Sequence, residues 1–543
     1  MPGLACAGVT GMLARMKWIS GISLVAAWVT GVAHAAIAPE AVAIIYNSDL
    51  PESRRLAEIY QEARGIPATN LVAMSLPKKP DISREEYEEM ILKPLRNQFD
   101  FRSWWERKVD GGGVKLPVLN KIRVIVLMRG VPLRIEPKPK PPAKPDEPPA
   151  PPPSDPVGAR DEASVDSELA MFGVEGLPIG GVLANKYHRN DQSITDAELP
   201  YLVLTARIDG PSYAICERMI RDAVEVEKTG LWGRSYVDVA NKFPQGDAWL
   251  EDVVKANAGV GIPTVVDRFN DTLPKNYPMT EAAFYDGWYD GHVSGPFLNP
   301  GFRFKKGAIA MHLHSFSAEQ LGDAEKNWCA PLLARGAAVT VGNVYEPYLH
   351  LTHDFGLIQR RLLEGMTWVE ACWMAMPVTS WQGVVLGDPL YRPFKHLSGT
   401  GEKLEADIPY RALRASTIEW GKSALERQMQ LEKASERMKS GVLMEAVGLD
   451  FLRVAKPEDA AKAFQKAKEY FSNPADQLRQ DFHLIAMERA ANHKDKAILA
   501  LREALTRYSG IPESEAVKGW LDILDPPPPP PADPNKAPAI AKP

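Results

Sequence analysis

The stretch Ile122-Arg123-Val124-Ile125-Val126-Leu127-Met128 decides the fold class of this chain. Such a near-continuous apolar run is typical of a strand in a sheet that is buried on both faces. A second apolar run, Val42 to Tyr46, is followed by turn and capping residues and then by a helical pattern from Pro51 to Arg64. Strands that alternate with helices predict a doubly wound, mostly parallel α/β sheet.

The alternation of strands and helices continues to about Phe394, so we assign residues 36–396 to one α/β domain. Further strands are predicted at Leu71–Met74, Tyr201–Thr205, Arg234–Val239, Ala282–Tyr285, Ala308–Leu313, Ala337–Val341 and Val384–Leu386. An insert at residues 137–156 contains eleven prolines and no large apolar residue. We expect this insert to be an extended, solvated loop, with a partner-docking polyproline ligand as the alternative.

The character of the chain changes after the α/β domain, and residues 405–525 are predicted to be helical. Small and apolar residues recur at helical spacing in Pro457–Tyr470, Gln477–Ala490 and Asp495–Tyr508, which resemble tetratricopeptide-type hairpins. A free-standing solenoid needs more repeats than these, so a small bundle docked on the α/β domain is an equal alternative. Residues 526–543 form a proline-rich tail, which we expect to be disordered.

The amino-terminal residues 1–35 predict export. Lys17 precedes an apolar run that ends in Ala33-His34-Ala35, the pattern of a cleaved secretory signal. A membrane-anchoring helix is the alternative, although the run is short for a membrane span. We therefore expect a secreted or periplasmic protein without a transmembrane span after signal removal. The formal net charge of −5, with no Lys/Arg cluster, excludes a polybasic nucleic-acid binder.

Three polar segments follow consecutive predicted strands, where ligands bind in an open parallel sheet. They are Tyr285-Asp286-Gly287-Trp288-Tyr289-Asp290-Gly291-His292, Met311-His312-Leu313-His314-Ser315-Phe316-Ser317 and Gly342-Asn343-Val344-Tyr345-Glu346-Pro347-Tyr348. We expect the three segments to face one cleft. From them we select Trp288, His314, Asn343, Tyr345 and Glu346 as candidate ligand-binding residues.

His312 and His314 predict a possible divalent metal site. Residues i and i+2 of a strand share a face, so both imidazoles can reach one ion. The third ligand would be His292, Asp290 or Glu346. The alternative is that both histidines are buried and hydrogen-bonded, and in that case the protein needs no cofactor.

Ser315 is a candidate nucleophile. Its neighbour on the strand points to the opposite face, so the general base must come from another segment. We select His292 as this base, oriented by Asp290 or Asp286. The alternative is a serine-rich turn that caps the helix after it.

Three cysteines, Cys216, Cys329 and Cys372, remain after signal removal and allow at most one disulfide. Cys329 is predicted to begin a helix, as a reactive thiol or as an inert packing residue. Asp388, in the turn after the last strand, is predicted to cap rather than to catalyse.

Several motifs resemble a family of secreted bacterial proteins that occurs in species with an exosortase protein-sorting system. The resemblance covers roughly residues 41–394 and implies an envelope location, but no activity. The motifs are Gly287-Trp288-Tyr289, His312 to Ala318, Gly342 to Tyr348, Gly387-Asp388-Pro389-Leu390-Tyr391-Arg392-Pro393, Ala163 to Leu169 and Arg207-Ile208-Asp209-Gly210-Pro211.

A more distant resemblance is to gingipain-like cysteine peptidases, whose fold is akin to that of caspases. Gly291-His292 resembles their catalytic histidine turn, and Gly387-Asp388-Pro389 resembles their closing turn. Where those enzymes carry the catalytic cysteine, this chain has His314-Ser315. An unactivated serine hydroxyl is a far weaker nucleophile than a thiolate, so the resemblance implies the fold without the usual cysteine chemistry.

These observations predict a non-catalytic envelope protein that binds a peptide or a glycan on a peptidase-like fold and is linked to exosortase-type sorting. The helical region would then recruit a partner protein. The alternatives are a secreted hydrolase, using His292, Ser315 and Asp290 or a metal at His312 and His314, and a purely structural assembly factor.

Overall fold

The computed structural model describes residues 36–139 and 154–527. The predictions for the export signal, for most of the proline-rich insert and for nearly all of the tail lie outside these residues. Among the helices of the described ranges, none is both long and apolar enough to span a bilayer.

The described residues form short strands throughout the first 386 positions of the chain. They are Val42–Asn47 (β1), Leu71–Met74 (β2), Asp81–Ile82 (β3), Trp105–Val109 (β4), Lys115–Asn120 (β5), Val124–Met128 (β6), Arg134–Ile135 (β7), Ala163–Ser164 (β8), Leu183–Ala184 (β9), Leu204–Ile208 (β10), Arg234–Asp238 (β11), Thr264–Asp267 (β12), Ala282–Gly287 (β13), Ile309–His312 (β14), Thr340–Asn343 (β15), Val378–Thr379 (β16) and Gly383–Leu386 (β17).

Helices connect the strands and then continue alone to the end of the described chain. They are Pro51–Arg64 (α1), Arg84–Tyr87 (α2), Lys93–Phe101 (α3), Val165–Leu169 (α4), Tyr213–Thr229 (α5), Pro244–Val260 (α6), Cys329–Ala334 (α7), Phe355–Leu363 (α8), Trp368–Met374 (α9), Ile408–Trp420 (α10), Ala424–Met438 (α11), Gly441–Arg453 (α12), Pro457–Tyr470 (α13), Pro474–Ala490 (α14), Lys494–Arg507 (α15) and Ser514–Leu524 (α16). A π-helical segment, Glu88–Leu92, joins α2 to α3.

The α/β part is built on two sheets that share one topology. The six-stranded sheet has the order β15-β17-β10-β6-β1-β2, and only the β15–β17 pair is antiparallel. The four-stranded sheet has the order β12-β11-β13-β14 and is parallel throughout. In both sheets, the four strands that come first along the chain lie in the spatial order second, first, third, fourth. The prediction of a mixed α/β fold with a mostly parallel sheet is thus confirmed.

Burial follows from the position of each strand within its sheet. All five residues of β6 are buried, because this strand lies between β1 and β10 and is covered on both faces. A single bridge between Ile309 and Val339 links the two sheets, next to the antiparallel strand β15. Because β11, β13 and β14 are neighbouring parallel strands, their carboxyl ends lie side by side.

The carboxyl-terminal helices are docked on the four-stranded sheet. Tyr277, after β12, stacks on Phe482 of α14 with ring centroids 5.4 Å apart. Buried residues of α14, α15 and α16 share one apolar cluster with Tyr236 of β11. Beside this cluster, Glu445 of α12 bonds Arg234 of β11. The helical stretch is thus part of the same packed body as the sheet.

Two predicted strands, β10 and β15, begin three residues later than the sequence-based expectation. Residues 201–205 were expected to form a strand, whereas β10 begins at Leu204 and continues through Arg207 to Ile208. Arg207 is buried, and its charge is compensated by the Asp166 carboxylate, which its guanidinium contacts at 2.6 Å. A charged residue with such a partner is compatible with a central strand, although its sequence pattern indicates a strand end.

The second difference is at β15, which was expected over residues 337–341 and lies at Thr340–Asn343. Gly342 and Asn343 were assigned to the polar segment after the strand, but they pair with Val384 and Gly383 of β17. The antiparallel partner therefore extends the strand into residues that have low strand propensity.

Candidate functional site

The candidate site lies at the carboxyl ends of β11, β13 and β14. The register places Asp238 beside Gly287, and Gly287 beside His312. A Cβ at Gly287 would collide with the Tyr285 hydroxyl, so only a glycine leaves space for this hydroxyl above residue 287. It reaches Nδ1 of His312 at 3.0 Å.

His312 is an internal residue whose two ring nitrogens are both occupied. Its Nε2 accepts a hydrogen bond from the Asp290 backbone N–H at 3.3 Å, and its ring stacks on Trp328 with centroids 3.3 Å apart. Burial lowers the pKa of His312 well below its ordinary value, so the ring is neutral. Because Nε2 accepts, Nδ1 carries the proton and donates to Tyr285. His312 therefore supports the loop after β13.

The structure does not join His312 and His314 into a metal site. The His314 Nδ1 faces the Ser315 backbone carbonyl at 2.5 Å, and the ring packs on Tyr289. Across residues 36–139 and 154–527, no three His, Cys, Asp or Glu side chains are grouped so as to hold a metal ion. His312 is buried and hydrogen-bonded as the alternative describes, whereas His314 is partly exposed.

Ser315 is joined to Glu346 rather than to His292. The Ser315 hydroxyl donates to Oε2 of Glu346 at 2.5 Å, while Oε1 accepts from the Tyr348 backbone N–H at 3.2 Å. The His292 Nδ1 accepts instead from the Asn327 backbone N–H at 3.4 Å. The Ser315 side chain caps no helix, but the Ser317 carbonyl of the same turn accepts from the Trp328 and Cys329 N–H groups at the start of α7, at 3.2 and 2.9 Å.

The carboxylate of Asp290 does not orient His292 in this arrangement. Asp290 acts through its backbone, which donates to His312 and accepts from the Trp328 indole at 2.7 Å. The predicted catalytic set of His292, Ser315 and Asp290 thus lies within one region of the molecule but is not connected by hydrogen bonds.

An exposed group of aromatic rings lies beside these residues. Phe243, just before α6, is 51% exposed, and Tyr289 is 40% exposed, with their rings in edge contact at 6.0 Å. The Tyr289 ring in turn packs on His314 at 5.1 Å. Trp288 lies buried beneath them, and its indole donates to Asp247 at 3.0 Å. We refer to Phe243, Trp288, Tyr289 and His314 as the aromatic cluster.

The third segment contributes only one side chain to this region. Asn343 is buried, and its Oδ1 accepts from the Thr352 hydroxyl at 3.0 Å. The Tyr345 hydroxyl donates to the Ile135 carbonyl at 3.2 Å, beside the small strand β7. Glu346 uses its side chain to bond the loop after β14, at Ser315. Asn343 and Tyr345 bond the same loop through their backbones: the Asn343 N–H donates to the Ser317 hydroxyl at 3.1 Å, and the Tyr345 carbonyl accepts from the Phe316 N–H at 2.9 Å.

Phe243 and Tyr289 were not among the predicted site residues. Phe243 follows β11 in a polar stretch and immediately precedes Pro244, the first residue of α6. A large aromatic residue that belongs to no strand or helical pattern, at the carboxyl end of a parallel strand, is the signal that would have indicated it.

Cysteine chemistry has no support in the described part of the chain. Cys216, Cys329 and Cys372 are free and buried. Cys329 begins α7 as expected, but burial raises the pKa of its thiol to about 12. A thiol with this pKa stays protonated near neutral pH and is a poor nucleophile.

Asp388 has a structural role. Its carboxylate accepts from the Tyr60 hydroxyl at 2.9 Å and from the Arg64 guanidinium at 2.6 Å, which ties the turn after β17 to α1. It also accepts from the Leu390 backbone N–H at 3.0 Å, which is the capping contact expected of an aspartate in such a turn.

Asp286 makes stability fall as the pH rises. It is fully buried one residue before the end of β13, and burial raises its pKa to about 8. The folded state therefore keeps a proton that the unfolded chain releases above about pH 3.9. Between these values, the stability of the wild type relative to Asp286→Asn should fall by up to about 1.4 kcal/mol per pH unit.

The measurement is the free energy of urea unfolding at pH 5, 6, 7 and 8 for both chains. Asp191→Asn, at an exposed position, serves as the control and should keep the wild-type pH dependence. Equal slopes for wild type and Asp286→Asn would show that the Asp286 carboxyl is not held protonated.

No family model, curated protein or solved structure matches the chain.

Proposed function

We propose that the protein is a non-catalytic binding protein of the secreted or periplasmic compartment, which takes a peptide or a glycan at the aromatic cluster. The observation that carries this proposal is the exposure of Phe243 and Tyr289 at the carboxyl ends of parallel strands. Ligands bind at this edge of open α/β sheets. Aromatic rings bring large contact area there, and neighbouring polar groups fix the orientation of a ligand.

The polar groups beside the cluster suit recognition. The Ser315 hydroxyl and the Glu346 carboxylate are partly exposed and bonded to each other. His292 is exposed and uses one ring nitrogen on a backbone N–H. These groups offer donors and acceptors to the hydroxyls of a sugar or to a peptide backbone.

The strand orders support a caspase- or gingipain-like architecture for the α/β part. In the four-stranded sheet, Gly291-His292 follows the third strand along the chain and His314-Ser315 follows the fourth. We infer that the nucleophile position of such a peptidase is occupied here by serine. The successive hairpins of α12 to α16 are compatible with a tetratricopeptide-like stretch, and the sequence motifs support the link to exosortase-type sorting.

The test is ligand binding by matched variants. We expect Tyr289→Ala or Phe243→Ala to weaken binding by about thirtyfold, which corresponds to about 2 kcal/mol for the loss of a central aromatic contact. Phe101→Ala is the control, because Phe101 is 86% exposed on α3, outside the aromatic cluster.

Arrays of cell-envelope oligosaccharides and of synthetic peptides would identify the ligand class, and isothermal titration would measure affinity. Array signals that are unchanged in Tyr289→Ala and Phe243→Ala would place binding elsewhere and contradict the proposal.

A serine hydrolase is the second candidate, because the Ser315–Glu346 distance of 2.5 Å brings a carboxylate within reach of the hydroxyl proton. Glu346 would then be the base, in place of His292. For this candidate we expect a fluorophosphonate probe to label the wild type and to lose its label in Ser315→Ala. For the binding protein we expect no label, read by intact mass on residues 36–543. Glu346→Gln would separate a base from a ligand-binding group, because only the former abolishes labelling.

A further inference from the structure

The edge strand β12 presents unpaired backbone groups to a groove. It pairs with β11 on one side only, where the N–H groups of Ser235 and Val239 donate to the carbonyls of Pro263 and Asp267, both at 3.0 Å. In a parallel strand the peptide groups of alternate residues point to opposite sides. The N–H and C=O groups of Thr264 and Val266 therefore point away from β11.

Helices from both parts of the chain wall the groove. It is a cavity of 520 Å³ between α6 and β12 on one side and α12 and α14 on the other. The apolar lining includes Val254, Val266, Leu449 and Met487. An exposed edge strand is a template for another strand, and natural proteins usually blunt it with charge, proline or a covering element. Here the covering helices leave space beside the edge.

The rim of the groove is positively charged. Its lining includes Lys255, Arg268, Arg427 and Arg453 but only two carboxylates, Glu251 and Asp450. Arg268 forms a fork with Glu251 at 2.7 and 2.9 Å, and Arg427 and Arg453 share Asp450. Lys255 pairs with Asp252, just outside the lining, at 3.2 Å. The excess cation of the groove therefore lies at Arg427 and Arg453, which have one carboxylate between them.

We propose that an extended acidic segment of a partner protein binds in this groove by adding to β12 as a fifth strand. Main-chain hydrogen bonds to Thr264 and Val266 would supply affinity, and alternate apolar side chains would enter the groove. Acidic residues would meet Arg427 and Arg453, which share the single carboxylate of Asp450. This site is separate from the aromatic cluster, and it does not depend on the function proposed there.

The chain's own proline-rich segments do not have the chemistry of this occupant. Residues 526–543 contain one acidic and two basic residues and nine prolines, which lack the N–H needed for strand pairing. Residues 137–156 contain equal numbers of acidic and basic residues. Charge complementarity therefore points to a different protein.

The probe is a fluorescein-labelled octapeptide of alternating valine and glutamate, and the matched probe replaces each glutamate by lysine. Fluorescence anisotropy on residues 36–543 is expected to show at least tenfold tighter binding of the acidic probe. Hydrogen exchange of the Val266 amide should slow when the acidic probe is bound. Equal binding of the two probes, or unchanged exchange, would overturn the proposal.

Val266→Pro is the decisive variant, since it removes the outward N–H from an edge strand that tolerates proline. It should weaken the acidic probe at least tenfold, while Val266→Thr, which keeps the N–H and the branched shape, should retain wild-type binding. Loss of binding in both variants would assign the contact to the side chain and contradict strand addition.

Arg453→Glu tests the charge without touching β12. It should weaken the acidic probe at least fivefold and bring its affinity closer to that of the lysine probe. Arg437→Glu, at the exposed end of α11, is the control and should change neither affinity. If residues 36–543 form a dimer that Val266→Pro dissociates, a second copy occupies the groove and the partner proposal is wrong.

Discussion

Glu445→Gln is expected to lower the free energy of unfolding by about 3–5 kcal/mol. The Glu445 carboxylate is buried between two guanidinium groups, Arg234 of β11 at 2.9 Å and Arg479 of α14 at 2.7 Å. It also bonds Gln480 at 3.0 Å and His483 at 3.1 Å. The amide keeps the shape of the carboxylate but leaves the two buried guanidinium groups with Asp476 as their shared anion, at 2.6 Å from Arg479 and 3.9 Å from Arg234.

The same carboxylate predicts an acid-sensitive junction. The attraction of Arg234 and Arg479 outweighs burial and holds the pKa of Glu445 well below its ordinary value. Its contribution to stability is complete above the unfolded pKa of about 4.3 and is lost as the pH falls through the folded pKa. Chemical unfolding at pH 7 and at pH 3.5 should show the difference between wild type and Glu445→Gln shrinking at the lower pH.

Glu503→Gln, at an exposed position of α15, is the control and should stay within about 0.5 kcal/mol of the wild type. A loss of less than about 1 kcal/mol for Glu445→Gln would show that the network does not hold the helices on the sheet.

Arg207→Met is expected to cost a similar 3–5 kcal/mol at neutral pH. Arg207 is fully buried in β10 and bonds Asp166 at 2.6 Å and Asp209 at 3.1 Å. It also donates to the backbone carbonyls of Val131 and Pro132. Methionine fills much of the volume but leaves the Asp166 carboxylate, 1% exposed, without a counterion.

Urea unfolding at pH 7 measures this loss, with Arg55→Met at an exposed position of α1 as the control. Adding Asp166→Leu to Arg207→Met should recover part of the loss, because the second change removes the unpaired buried charge. A double variant that is less stable than Arg207→Met would contradict this explanation.

The fold class and several helices could be predicted because local signals agree with the tertiary structure. The helix expected at Pro51–Arg64 has the observed bounds, since Pro51 suits a first helical position and Gly65 takes the left-handed conformation that ends it. Pro457–Tyr470 also has the expected bounds. Strand β10 was misplaced because the partner of Arg207 lies 41 residues away in sequence.

The candidate site was predictable as a region but not as a set of contacts. Parallel strands end at one edge, so the sequence places Trp288, His312 and Ser315 near one another. Loop conformation then decides which side chains meet. Of the adjacent pair Trp288 and Tyr289, the first is buried and the second is exposed. Ser315 bonds Glu346 because the loop after β15 returns beside the loop after β14.

The order of the strands along the chain predicts an order of folding. The four-stranded sheet is built from the contiguous residues 234–312, whereas β10 at residues 204–208 must wait for its neighbour β17 at residues 383–386. Closing the longer loop costs more chain entropy and delays pairing. While the four-stranded sheet forms, the edge of β10 that will pair with β17 stays open to association with other chains. The newly synthesised chain therefore depends most on chaperone protection until Leu386 is available to pair with β10.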